Sequence, residues 1–259
     1  VKDNPKMAWM FELEDKSWFP PLLRRMQTDF IGWMVLRFNV YTPLSDMFAQ
    51  ALKQADAKKW VDLAAGNGGP ACALLHSMKA QSLLSSEFPL LLTDLFPGFP
   101  SALPPNVSIF PQPYPACDAF PELPGFKSLF NAYHHFDESA KIALINKHGS
   151  QGLFVVEILQ PTPFVFLKIL LTTTVGQLLL APFVRPFSWT RLALTYLFPI
   201  NLLTITFDGL MSVIRVDSLA QMHHRAEQHL PKGCSLYSGT SGPWWAPLSW
   251  FYIVPSRNA

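Results

Sequence analysis

The sequence is poor in cysteine, in charge and in basic runs. Its three cysteines, Cys72, Cys117 and Cys234, are an odd number, lie far apart and form no CxxC pair. That disfavours a disulfide frame or a thiolate zinc site, and packing thiols in a reducing, cytoplasmic compartment are expected. Charged residues make up only 15 % of the 259 positions, and the formal net charge is +2. No cluster of Lys or Arg offers a footprint for a polyanion, so nucleic acid is not expected as a partner. The opening stretch "VKDNPKMAWMFELEDK" has no apolar core of the secretory kind, and no export signal is expected in it. Internal repeats and low-complexity tracts are also missing.

What is present is apolar and divided by proline: 49 % hydrophobic residues and 24 prolines. The length suits one large domain, or one domain with an insertion. Pro20-Pro21 opens a predicted helix carrying Leu22, Leu23, Met26, Phe30 and Trp33. A second helix is predicted from about Pro43 to Ala57, with Leu44, Met47, Phe48 and Leu52 on its apolar side. Then the rhythm changes. "KWVDLAAGNGGPACALLHSM" reads strand, glycine turn, helix. "FPLLLTDLFP", "NVSIFP", "FKSLFNAYHHF" and "QGLFVVEILQ" read as four further strands. "ESAKIALINKHG" reads as a helix closed by Gly149 as its C-cap. Short apolar strands alternating with helices predict a mostly parallel sheet covered on both faces. Near the end, "VDSLAQMHHRAEQH" reads as a helix capped by Ser218, and "CSLYSGT" with "LSWFYIVPS" as an antiparallel pair.

The turn "VDLAAGNGGP" formally satisfies G-x-G-x-x-A through Gly66, Gly68 and Ala71. Glycine there lets backbone approach a ligand where a Cβ would collide. The Lys-Ser/Thr ending of a nucleotide triphosphate loop is missing, so hydrolysis of ATP or GTP is disfavoured. Asp62 lies four residues before Gly66, and a carboxylate at a strand end suits a cation better than a pyrophosphate. With that acid, "VDLAAGNGG" resembles the first motif of class I S-adenosylmethionine-dependent methyltransferases. Further matches follow in order across residues 58–160: Asp94 in "LLLTDLFP", Asp118-Ala119 in "ACDAF", "SLFNAYHHF" and "LFVVEILQ". "FELEDKSWFP", "LTYLFPI" and "FDGLMSVIRVDSL" also resemble a bacterial group of such proteins of unknown substrate.

The resemblance implies a Rossmann-like α/β domain with an antiparallel last strand, formed by residues 58–160 and 217–259. It implies S-adenosyl-L-methionine as cofactor and S-adenosylhomocysteine as product. Asp62, Ala64, Gly66 and Gly68 would then flank the methionine part, and Asp94 with Leu95 the ribose. Asp118 and Ala119 would flank the adenine, and Asn131 the amino-acid end. Tyr41, just before the sheet, is a candidate cofactor contact. Trp18, Tyr133 and Tyr196 are candidates for the small-molecule substrate, which is expected to be apolar or aromatic. Asn131 stands in "NAYH" without the prolines of base-amine methyltransferases, against a nucleic-acid substrate.

His134 and His135 are the candidate bases. In extended chain they would point opposite ways, so at most one would face the reacting centre. With no carboxylate or thiolate at ligand spacing beside them in the sequence, no metal site is expected. Residues 1–57 are expected to form a helical cap or lid. Residues 161–216, with "FVFLKILLTTTVGQLLLAPFV" at 164–184, are long and apolar enough to be weighed as a membrane span. Lys168, Gly176, Gln177 and three threonines weaken that reading, and a helical insertion over the pocket, buried against the N-terminal helices, is expected instead. Peripheral membrane contact and an oligomer interface are the alternatives. For function the alternatives are another reaction on the same cofactor, such as cyclisation or elimination, or a protein that binds it without turnover.

Overall fold

A computed structural model describes residues 11–97, 103–117 and 122–256. The chain divides into two compact units, residues 1–34 with 159–216 and residues 35–158 with 217–259.

The larger unit is built on a seven-stranded sheet of order β3-β2-β1-β4-β5-β7-β6. The strands are β1 (Trp60–Asp62), β2 (Leu90–Leu92), β3 (Val107–Ile109), β4 (Phe126–Phe130), β5 (Leu153–Glu157), β6 (Cys234–Ser241) and β7 (Leu248–Pro255). The pairs among β1 to β5 are parallel, whereas β7 runs antiparallel to both β5 and β6. This is the mostly parallel α/β sheet with an antiparallel last strand that the sequence predicts.

Alternation along the strands sends side chains to two separate cores. Trp60, Phe126, Phe130 and Phe154 lie in one, and Val61, Leu129, Leu153 and Val155 in the other. The first is covered by α2 (Ser45–Gln54) and α3 (Gly69–Ala80), the second by α4 (Glu138–His148) and α9 (Leu219–Gln228). Both faces are covered over β1, β2, β4 and β5, which are buried along their whole length, whereas the edge strand β3 is partly exposed. Ser218 caps α9 in a capping box with Gln221. Gly149 follows α4 but stays right-handed (φ −58°); a 3-10 turn continues to Gln151, and Gly152 (φ 102°) makes the reversal. A Cβ on Gly152 would meet the ring of Phe126 at 2.4 Å, and with its positive φ this fixes glycine at that place.

The smaller unit holds most of α1 (Pro21–Arg37), then α5 (Pro163–Leu171), a π turn over Thr172–Gly176, α6 (Gln177–Leu180), α7 (Trp189–Tyr196) and α8 (Ile200–Arg215). Phe30, Val184 and Ile205 form one of its apolar centres. Arg191 pairs with Asp29 at 2.7 Å and also donates to the carbonyls of Val184 and Pro186. Asp208 accepts from the backbone N–H groups of Leu13 and Glu14, and Arg215 pairs with Glu12 and Asp15.

Two expectations change here. Residues 35–57, expected in the N-terminal cap, fall in the unit of the sheet. The reason is Phe48 on α2, whose ring lies 4.5 Å from Trp60, 4.9 Å from Phe154 and 5.6 Å from Phe126. The apolar insertion is also mostly uncovered: only 22 % of its most apolar window is buried. Phe48→Ala should cost about 3–5 kcal/mol, because it empties the centre of that aromatic cluster; denaturant unfolding measures it, and a loss near zero would contradict the packing.

Candidate functional site

The sheet order reverses between β1 and β4, and ligands of open α/β sheets bind beyond the carboxyl ends of the strands at such a point. Register places Asp62, the last residue of β1, opposite Ser128 of β4. Both are buried. Trp60 Nε1 donates to Ser128 Oγ at 2.6 Å, and Ser128 Oγ donates to Asp62 Oδ1. Burial pushes the Asp62 carboxyl up to about 8; the Ser128 hydrogen bond opposes this and the nearby Asp94 carboxylate reinforces it.

The glycine turn follows directly. Ala64 (φ 50°), Gly66 (φ 57°) and Gly68 (φ 75°) all occupy the left-handed region, which winds the chain tightly from strand into helix. A Cβ on Gly68 would meet Leu92 Cδ1 of β2 at 2.5 Å, so this glycine serves close packing between turn and sheet. Asn67 Oδ1 accepts from the N–H of Gly69 at the start of α3. Asp94, just past β2, accepts from the N–H groups of Gly66 and Phe96, both at 2.8 Å. Its carboxylate thus ties the two loops together. Leu95 beside it is 48 % exposed.

On the β4 side, Asn131 takes a left-handed conformation (φ 52°), and its Oδ1 accepts from the N–H of Ile158. Strand geometry ends at Phe130, and Tyr133–His135 form a 3-10 turn. That corrects the expectation for the two histidines. In a 3-10 turn successive side chains lie about 120° apart and not 180°, and the rings of His134 and His135 lie side by side, centroids 4.4 Å apart. His134 also has a carboxylate neighbour: Glu157, at the end of β5, lies 2.9 Å from His134 Nδ1 and accepts from the His134 N–H at 3.0 Å. Both side chains are buried. This partner is 23 positions away in the chain, and only the pairing of β4 with β5 brings it near.

Tyr41 lies fully buried at the same end of the sheet, its ring edge-on to Phe130 at 5.3 Å. Burial raises its hydroxyl pKa far above the usual value, and the charges of Glu157 and Asp62 add to the effect. Tyr133, expected on the substrate side, is instead a core residue. It packs against Phe251 on the α4 and α9 side, under Lys141 and Arg225. Trp18 and Tyr196 belong to the smaller unit, where they are 66 % and 46 % exposed. Asp118 and Ala119 lie outside the described residues.

Tyr41, Asp62, Asp94, Asn131, His134 and Glu157 thus gather around the carboxyl ends of β1, β2, β4 and β5. Glu157 and Ser128 were not anticipated. The signal for Glu157 was a lone acid ending an apolar strand, whereas Ser128 gained its meaning only from register. Chemically, the set is rich in carboxylates. It suits a cationic ligand that also carries hydroxyls, and it lacks the turn lysine of a triphosphate site.

No family model and no curated protein matches the chain. Solved structures do resemble it. An O-methyltransferase family protein from Burkholderia thailandensis is 13 % identical, with a TM-score of 0.45, covering 88 % of this chain and 59 % of its own. An O-methyltransferase from neocarzinostatin biosynthesis, in complex with S-adenosylmethionine and 2-hydroxy-5-methyl naphthoic acid, is 15 % identical, with a TM-score of 0.41, over 80 % and 52 %. Human N-acetylserotonin methyltransferase, in complex with S-adenosylmethionine, is 11 % identical, with a TM-score of 0.43, over 82 % and 52 %. The chain therefore spans little more than half the length of these proteins, and the likeness concerns fold alone.

Because Asp62 titrates near 8 when folded and near its ordinary 3.8 when unfolded, the folded chain holds the extra proton between those values. Ligand-free stability should fall as pH rises through that window, by on the order of 1 kcal/mol per pH unit. Asp62→Asn should flatten this part of the dependence, and unfolding at pH 5 and pH 8 of the two proteins tests it; equal slopes would contradict the assignment.

Proposed function

We propose that the protein transfers a methyl group from S-adenosylmethionine to a small, apolar or aromatic acceptor. The observation that carries the reading is the pair of acids, Asp62 and Asp94, set at the ends of β1 and β2 around a left-handed glycine turn. Asp62 is the counter-charge for the cationic methionine part. It stands protonated in its buried place, so a cation brought beside it draws out the proton. Asp94, beside the glycine turn and bonded to the Gly66 N–H, is the carboxylate assigned to the vicinal ribose hydroxyls. When bound, the cofactor supplies an electrophilic methyl group on sulfur, and positioning does most of the remaining work.

Proton removal from the acceptor falls to His134. Glu157 at Nδ1 fixes the tautomer with its proton on that nitrogen and places the basic lone pair on Nε2. It also steadies the imidazolium once formed. The acceptor is assigned as uncharged because the chain carries little charge and no basic run to hold an anion.

Calorimetry with S-adenosylmethionine tests the reading. Binding at pH 6 should release up to one proton, seen as a heat that depends on the buffer, and Asp62→Asn should abolish the release. Asp94→Ala should weaken binding about ten- to a hundredfold. No binding by the wild type, or unchanged binding in Asp94→Ala, would reject the cofactor. Once an acceptor is found, His134→Gln should lower kcat about 10²–10⁴-fold with cofactor affinity nearly unchanged; Glu157→Gln should lower it less and shift the pH profile.

A further inference from the structure

The reaction described above gives Ser128 no task, although its side chain is fully buried on β4. Register sets it beside Asp62, and alternation along β1 puts Trp60 and Asp62 on the same face of the sheet. The hydroxyl therefore lies between an indole and a carboxyl group. It is 2.6 Å from Trp60 Nε1 and within hydrogen-bond distance of Asp62 Oδ1.

This series has one direction. An indole N–H can only donate, so it occupies a lone pair of the Ser128 oxygen. The hydroxyl proton is given to Asp62, its acceptor among the described residues. Trp60 is held in place: its ring is fully buried, 4.5 Å from that of Phe48 and 6.1 Å from that of Phe130. An ionised carboxylate accepts a hydrogen bond more strongly than a neutral carboxyl group does, so a hydroxyl fixed in this direction favours the charged form. Among the described residues it is the one hydrogen-bond donor to the Asp62 side chain, whereas Asp94 accepts from two backbone N–H groups.

The other ionisable groups facing Asp62 are Asp94 beyond β2, Cys72 on α3 and Tyr41 ahead of α2. All three are acids, and none brings a positive charge. Burial and the Asp94 carboxylate keep the Asp62 carboxyl protonated up to about 8, against the Ser128 hydrogen bond. Ser128 is thus the group of the chain that works toward the ionised state a cationic ligand requires.

We infer that Ser128, oriented by Trp60, is the positioning residue through which Asp62 ionises as the cationic cofactor arrives, and that it sets the pH range over which the cofactor is held. The inference rests on the methyl-transfer reading for its cofactor, but the link from Ser128 to Asp62 can be read in the ligand-free protein.

Two measurements test it. The first is nuclear magnetic resonance of ligand-free protein isotope-labelled at the aspartate carboxyl carbons, with the Asp62 signal identified by its loss in Asp62→Asn. Ser128→Ala should move the titration midpoint of that signal upward, and Trp60→Phe should move it the same way by less. The second is calorimetry with S-adenosylmethionine. Ser128→Ala should weaken binding about tenfold at pH 7 and less than about threefold at pH 9, because a hydrogen bond to a charged acceptor is worth about that first factor and higher pH restores the carboxylate. Taking the ratio to the wild type at each pH removes any titration of the cofactor itself. Should Ser128→Ala not fold, Trp60→Phe combined with Ser128→Ala leaves no indole N–H unpaired and should show the same pattern. An unmoved Asp62 midpoint overturns the inference. So does a loss of affinity equal at both pH values, which marks a purely structural role. No cofactor binding by the wild type, together with a raised midpoint in Ser128→Ala, rejects the cofactor and upholds the link between Ser128 and Asp62.

Discussion

A carboxyl group that cannot reach water sits at the centre of the larger unit. Asp62 ends β1, an inner strand of the sheet, and lies buried between β2 and β4. Burying such a group without a counter-ion is unfavourable, and the molecule answers by keeping it protonated and bonded to Ser128. The hydrogen-bonded series Trp60, Ser128, Asp62 joins the aromatic core to the mouth of the site. Tyr41 and Asp94 each feel or reinforce the same charge.

The two acids have different tasks for a reason of placement. Asp62 is inside, so its ionisation is tied to whatever cation comes near. Asp94 lies past the end of its strand, half-buried, and accepts from two backbone N–H groups. His134 and Glu157 repeat the theme on the far side of β4. There a ring and a carboxylate, both buried, satisfy one another across adjacent strand ends. The smaller unit reverses the logic: several polar side chains are turned inward, Arg191 to Asp29 among them, and much apolar surface is left outside.

Much of the fold was legible because short apolar strands, a glycine turn and capped helices each leave a local mark. "VDLAAGNGG" showed where the sheet begins, and Ser218 marked the start of α9. The acids at 62 and 94 were legible for the same reason, as charges ending apolar runs. The histidines were located but their geometry was misread, because a 3-10 turn and an extended end have the same composition over three residues. Tyr133 looked like a surface aromatic beside a site, yet its burial under Lys141 and Arg225 depends on helices far along the chain.

By itself the sequence determined the alternation of strand and helix, the glycine turn and the acids that flank it, because each follows from local backbone and side-chain preference. Only the tertiary structure decided that Ser128 faces Asp62, that Glu157 serves His134, and that residues 35–57 belong with the sheet. Register, strand order and helix packing join residues tens to hundreds of positions apart, and no local preference encodes those distances. The same holds for the run Pro163–Phe183: its composition allowed a buried helix or an exposed one, and packing along a single side decided which.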